Sequence, residues 1–304
     1  MKPIDFVVPM VFCDDPVWQE KWQEKVRYDA SFLNLSPRWR SWGTEELLIR
    51  CVLRFLPWVR TIHILLADEG QVQPWMRELT EGKDSKVKLV FHRDFIPEEY
   101  LPCFVSGTIE CFLKNIPDLA EQFIYGNDDI FPVAPLSPTD FFHKGKPCQH
   151  HDMKEWHDTS YIINIHMRSR MKCLNMAAAD FGKHFDGECL FNGHGLSPLL
   201  KSTCEKVWAT HADEILDSIS ADRTEREVNQ CIYLYYQHLS GNYIDSALRE
   251  RYASNQNTPD EIRDIILDSD AQVVCVNDTD AIDDRWQECA QAAREALEEK
   301  LKTE

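Results

Sequence analysis

The sequence predicts an α/β protein with a central, mostly parallel sheet flanked by helices. Three observations carry that expectation. Strand-like and helix-like segments alternate from residue 4 to residue 131. The first of them, Ile4 to Val11, is nearly continuous in apolar residues after Asp5, as a strand buried on both faces requires. A later strand, Phe123 to Gly126, runs straight into Asn127-Asp128-Asp129, at the kind of strand end where open α/β sheets bind ligands.

In chain order, Cys13-Asp14-Asp15-Pro16 breaks the first strand, and Trp18 to Arg27 has a helical pattern. No Gly-x-Gly-x-x-Gly follows, which excludes a dinucleotide fold of that type. Arg38 to Trp42 is dense in arginine and tryptophan, and Gly43-Thr44-Glu45-Glu46 opens a helix through Phe55 that Pro57 ends. Strands over 61–66 and 86–91 bracket a short helix over 74–80. A further helix over 106–114 has Ser106 as its cap. Residues 133–192 read as an inserted, helical, substrate-shaping segment. They hold six histidines, of which only His150 and His151 beside Asp152 suggest metal-ligand spacing.

Helices over 199–208, 213–219 and 225–239 follow, with Tyr233, Tyr235 and Tyr236 as core packing. Thr258-Pro259-Asp260-Glu261 combines an N-cap, a proline at N1 and a glutamate at N3, a strong helix start running to about Asp268. Residues 272–276 form a strand, Asn277 to Asp280 a polar loop, and 284–302 a terminal helix. With no repeat or linker, the chain is read as one domain. Residues 1–131 and 193–280 are its core, 133–192 the insertion and 281–304 the terminal helix.

At 304 residues, 43% hydrophobic and 28% charged, the chain is long enough for a substantial core and reads as globular and soluble. Its net charge of -18 argues against a nucleic-acid partner, because phosphate contacts need clustered Lys and Arg. It leaves room for an anionic substrate held locally. No apolar run approaches a membrane span and no signal-peptide core is recognised. The eleven scattered cysteines form no Cys-x-x-Cys pair, which fits a reducing cytoplasm better than structural zinc.

Asp128 and Asp129 are two adjacent carboxylates between apolar flanks, expensive to hold near a core without a cation. Asn-Asp-Asp is also ordinary turn composition, so a solvated turn stands beside the metal-site reading. His194, between Gly193 and Gly195, has an imidazole that titrates near neutral pH and could serve as a base. Arg38 and Arg40 either face an anion or stack on Trp39 and Trp42. Glu110 either orients a basic group or pairs with an arginine such as Arg50. Asp15 either faces a ligand or caps the following helix.

Four separated segments together resemble the Stealth family, which includes capsular polysaccharide phosphotransferases and the GlcNAc-1-phosphotransferase of lysosomal enzyme tagging. They are Ile4-Asp5-Phe6-Val7-Val8-Pro9 through Asp15-Pro16-Val17-Trp18, and Arg38-Trp39-Arg40-Ser41-Trp42-Gly43 through Ile124-Tyr125-Gly126-Asn127-Asp128-Asp129. His194 near Pro198, with Arg223, Glu227 and Asn229, forms the third, and Cys275-Val276-Asn277-Asp278 the fourth. The chain departs from the family at Phe12-Cys13, at Val105 and at Glu227, where an aspartate is usual.

The resemblance implies a GT-A/Rossmann-like fold and transfer of a sugar 1-phosphate from a UDP-sugar, UDP-GlcNAc-like, to a saccharide hydroxyl, with release of UMP. It implies Mg²⁺ or Mn²⁺ at Asp128, Asp129 and Asp278, with His194 as base, Arg223 on phosphate and Asp128 in the catalytic group. Asp5, Asp15, Arg38, Arg40, Asn127 and Asn277 would contact the donor. The setting implied is capsular or cell-surface polysaccharide synthesis, cytoplasmic at the inner face of the membrane, with peripheral association to an assembly complex. A glycosyltransferase releasing UDP and a non-catalytic sugar-nucleotide binder are the alternatives.

Overall fold

The structure is a computed structural model describing residues 2–26, 40–155, 165–191, 193–220, 224, 226–279 and 285–302. Its elements run β1 (Ile4–Pro9), α1 (Pro16–Val26), α2 (Glu45–Phe55), β2 (Ile62–Leu66), α3 (Pro74–Thr80), β3 (Val87–Phe91), α4 (Ser106–Cys111), β4 (Gln122–Tyr125) and β5 (Ile130–Pro132). There follow α5 (Pro138–Phe141), β6 (Phe142–His143), β7 (Lys146–Gln149), β8 (Asp152–Glu155), α6 (Ile165–Ala179), β9 (Glu188–Phe191), β10 (Ser197–Leu200) and α7 (Lys201–Leu216). The chain closes with α8 (Cys231–Leu239), β11 (Ile244–Asp245), β12 (Glu250–Ser254), α9 (Pro259–Leu267), β13 (Val273–Asn277) and α10 (Trp286–Lys302).

The class is α/β, as expected. The principal sheet has the order β10-β4-β1-β2-β3; β4, β1, β2 and β3 are parallel, and β10 is antiparallel at the edge. The apolar run at the amino end is explained by β1, which is buried on both faces. Ile4, Phe6 and Val8 pack into one core with α2, α9 and α10, while Val7 packs into another with α4, α7 and α8. Full burial of a side chain such as Phe6 stabilises the fold by about 2–3 kcal/mol.

A second sheet, β12-β13-β5, continues from the first through the turn after β4. Gly126 enters that turn where no side chain fits: a Cβ there would lie 2.8 Å from Leu196 Cδ2 and 3.2 Å from Phe6 Cζ. The Ile130 N–H then donates to the Asn127 carbonyl at 3.2 Å, and the Val276 N–H to the Asp129 carbonyl at 2.8 Å. Asn127-Asp128-Asp129 is thereby clamped at the junction of two sheets.

Several expectations need correction. The segment over 133–192 is mixed rather than helical, carrying β6 to β9 beside α5 and α6. Leu199 lies in β10 and not in a helix, because Ser197 to Leu200 pairs with β4 as an edge strand. Helix α4 is shorter than expected and has Val105, not Ser106, at its N-cap position. The helix expected from residue 225 begins at Cys231. The Thr258 capping box is present as read from sequence.

Candidate active site

A cavity of about 690 Å³ opens at the carboxyl ends of β1, β4 and β13. Its lining includes Asn127, Asp128, Asp129, Asn277 and Asp278 from the strand ends, Arg40 and Trp42 before α2, and His194 before β10. Segments far apart in sequence are thus brought together around one space.

Burial, then the neighbouring Asp129 and Glu45, push the Asp128 carboxyl up to about 7; burial pushes Asp129 up to about 6. Asp129 Oδ2 accepts a hydrogen bond from Cys275 Sγ at 3.5 Å, while its buried Oδ1 has no partner. An orphaned carboxylate oxygen beside a second carboxylate fits a hard divalent cation such as Mg²⁺ or Mn²⁺. Among the described residues no three His, Cys, Asp or Glu side chains form a metal cage. Two aspartates would leave the remaining positions to phosphate oxygens and water, as Mg²⁺ prefers.

Asp278, expected at the metal, is engaged differently. Its Oδ1 accepts from Arg40 Nη2 at 2.5 Å, and its Oδ2 from Arg40 Nε at 2.7 Å and Trp42 Nε1 at 2.9 Å. Both carboxylate oxygens accept from Arg40 in a bidentate pair, and Arg40 also sits 5.0 Å from the Trp286 ring centroid. Arg40 lines the cavity but is neutralised within it. Asn277 also lines the cavity, and its Nδ2 donates to the Tyr252 hydroxyl at 2.9 Å.

The His194 imidazole packs against two rings, Tyr252 at 5.1 Å and Phe191 at 6.2 Å between centroids. Desolvation, followed by the nearby Arg170, holds its pKa below the ordinary histidine value, which favours the neutral ring. Two donor-site expectations fall outside the cavity lining. Asp5 is fully buried near the start of β1, where it accepts from Arg60 at 2.8 and 2.6 Å and from the Ala120 N–H at 2.8 Å, with His63 at 3.2 Å. It anchors the fold. Asp15 accepts from the Val17 N–H at 3.0 Å, capping α1, and from Gln71 Nε2 at 2.9 Å. Arg38 and Arg223 lie outside the described residues.

Sequence reading missed part of the wall. Arg170 lines the cavity from α6, with its guanidinium 5.0 Å from the Phe191 ring centroid. The insertion's mixed pattern gave no signal for it. Glu110 also lines the cavity and accepts from the Tyr125 hydroxyl at 2.8 Å and from the Gln230 N–H at 2.8 Å, while Arg50 pairs with Glu46. Glu227, where the family usually has aspartate, accepts from the Gly107 N–H at 2.9 Å. A Cβ on Gly107 would lie 2.1 Å from Glu227 Oε1, so the longer acid and the glycine fit together. His150 approaches Asp152 at 3.4 Å, and His151 packs on His238 at 4.6 Å between centroids.

An open α/β sheet with a polar, carboxylate-bearing cleft at its strand ends defines a ligand-binding α/β protein, and its relatives narrow that class. Residues 38–150 match the model for Stealth protein conserved region 2. The chain is 30% identical to the capsular polysaccharide phosphotransferase WcwK of Streptococcus pneumoniae, covering 93% of this chain and 93% of the relative. It is 29% identical to the receptor polysaccharide phosphotransferase WefC of Streptococcus gordonii, covering 94% and 93%. Among solved structures, a complex of the galactosyltransferase LgtC with donor and acceptor sugar analogs aligns over 99% of this chain and 97% of that one, at 13% identity and a TM-score of 0.43. The chain belongs to the Stealth family.

Proposed function

We propose that this protein transfers a sugar 1-phosphate from a UDP-sugar, UDP-GlcNAc-like, to a saccharide hydroxyl in capsular or cell-surface polysaccharide synthesis. The observation that carries this reading is the convergence of Asp128, Asp129 and His194 on a single cavity of about 690 Å³, a size suited to a small organic ligand. The relatives named as polysaccharide phosphotransferases support the same chemistry.

In this reaction the acceptor oxygen forms a bond to the β-phosphorus of the donor. The bond from that phosphorus to the bridging oxygen breaks, and UMP leaves with the electron pair. Asp128 and Asp129 would hold Mg²⁺ or Mn²⁺, which when bound neutralises diphosphate charge. His194, kept neutral, accepts the acceptor hydroxyl's proton as its oxygen attacks. Arg223 is assigned to the phosphate oxygens, for which a planar guanidinium fork is suited. Arg170, also in the cavity lining, supplies positive charge near His194. Arg40, held by Asp278, fixes the strand end that carries Asn277.

The test is incubation with UDP-GlcNAc, Mg²⁺ or Mn²⁺ and a panel of sugar acceptors, reading the nucleotide released. UMP is expected. UDP as the sole nucleotide product would reassign the site to attack at the anomeric carbon, as in a glycosyltransferase. No nucleotide release with any UDP-sugar, despite donor binding, would favour a non-catalytic binder.

A further inference from the structure

His194 has little of its own backbone to hold it. Gly193 adopts a φ of +69°, and Gly195 follows, so the turn lacks side chains on both sides of the imidazole. The turn rests instead on β12. A Cβ at Gly195 would lie 1.8 Å from Glu250 Oε1, and Tyr252, two residues further along the same face of that strand, meets the imidazole at 5.1 Å with the rings inclined by 47°.

Tyr252 is 44% exposed, yet its hydroxyl is tied down. It accepts from Asn277 Nδ2 at 2.9 Å, across the parallel pairing of Ser254 with Asn277. Strand β13, which supplies Asn277, also fixes the metal turn through the Val276 N–H to the Asp129 carbonyl at 2.8 Å. One strand end thus touches both halves of the site.

We propose that Tyr252 is a positioning residue for His194, a brace running from Asn277 that fixes the imidazole relative to Asp128 and Asp129. This rests on His194 being the general base, and it adds a residue to which neither the motifs nor the relatives assign a role. Phosphoryl transfer needs its base within hydrogen-bond reach of one acceptor oxygen, and a misplacement of about 1 Å can cost about a hundredfold in rate. A glycine-flanked histidine has no such constraint by itself. Phe191 also meets the imidazole edge-on, at 6.2 Å between centroids, so two aromatic rings pack against it.

Among the described residues, the charged and titratable groups around His194 include Arg170 from α6, Glu250 and Tyr252 from β12, and Lys154, which lies over the Phe191 ring at 4.1 Å. Their contributions must be separated from that of the brace. Substitution at Tyr252 changes the ring and leaves the other three in place.

The experiment compares full-length wild type, Tyr252→Ala and Tyr252→Phe. Turnover uses UDP-GlcNAc, Mg²⁺ and the best saccharide of the acceptor panel. Imidazole NMR uses histidine-labelled protein, with the His194 signal assigned by its absence in His194→Ala. In Tyr252→Ala, kcat is expected to fall about tenfold to a hundredfold with the donor KM changed less than about twofold. The His194 ring signal loses its aromatic ring-current shift, and its titration moves up toward the ordinary histidine range. Tyr252→Phe keeps the ring but loses the Asn277 bond, and falls between the two.

An unchanged kcat together with an unmoved His194 signal in Tyr252→Ala would overturn the proposal. So would a loss confined to the acceptor KM, which would make the ring a sugar-stacking surface. If His194→Ala keeps full turnover, the base reading fails on its own. The NMR comparison then still decides whether Tyr252 fixes the imidazole.

Discussion

Replacing Asp128 by Asn should stabilise the metal-free protein at alkaline pH while abolishing its activity. The Asp128 carboxyl is raised from the ordinary 3.8 to about 7 by burial and by Asp129 and Glu45. The unfolded chain therefore ionises this group from about pH 4 upward, while the folded chain resists until about pH 7. Stability falls across that window and stays low above it, by up to about 4 kcal/mol. Partial solvent access and relaxation of the turn reduce this figure, and about 2 kcal/mol is the working expectation.

Asparagine keeps the shape of the side chain and removes the charge. For a chain of this length about 1–2 °C of melting temperature corresponds to each kcal/mol. In EDTA at pH 8 the variant should therefore melt about 2–4 °C above wild type, with the gap closing toward pH 4. Mg²⁺ at a hundred times its dissociation constant should stabilise wild type by about 2.7 kcal/mol and the variant much less. Differential scanning fluorimetry at several pH values, with EDTA or Mg²⁺, measures both. A variant less stable than wild type at pH 8, or an equal Mg²⁺ response in both proteins, would refute the carboxylate-repulsion reasoning.

Glu227→Asp, which restores the residue usual in the family, shortens the side chain by one methylene. It should lose the bond from the Gly107 N–H and cost about 1–2 kcal/mol in urea denaturation. Asp5→Asn should destabilise the fold by about 2–4 kcal/mol, because Arg60 and His63 lose their buried anionic partner. The Asp5 carboxyl is held below its ordinary range by hydrogen bonds from His63, Arg60 and the Ala120 N–H, which outweigh the opposing effect of burial. Its contribution is present above about pH 4 and is lost as pH falls, so wild type and variant should converge in acid. The donor KM of the folded variant should stay at the wild-type value, since Asp5 is absent from the cavity lining.

Where a residue pattern reflects burial directly, the sequence is informative. The run from Ile4 to Val11 is apolar because β1 has cores on both faces, and the Thr258 box is legible because helix capping is a local matter. Asp128 and Asp129 stood out because charges between apolar flanks are rare without a purpose. The rest depends on long-range partners. Strand β12 carries Glu250, Arg251 and Ser254 around Tyr252 and Ala253, so it has no clear alternation to mark it as a strand.

The family resemblance placed Asp5 at the donor. Only the fold shows Arg60, His63 and the Ala120 N–H waiting for it. The same resemblance placed Asp278 at the metal, and only the fold shows Arg40 and Trp42 donating to it. Arg170 belongs to a helix with no clear polar and apolar sides, and its place beside Phe191 arises from tertiary packing alone.

The spatial claim on which the mechanism stands is that the imidazole of His194 and the two aspartates address one ligand. Bound Mn²⁺ would report this through paramagnetic broadening of the His194 ring signal in the presence of UDP-GlcNAc. Stoichiometric Mn²⁺ should erase that signal in wild type and leave it sharp in a variant carrying both Asp128→Asn and Asp129→Asn. A His194 signal that stays sharp in wild type while Mn²⁺ is bound would contradict the account.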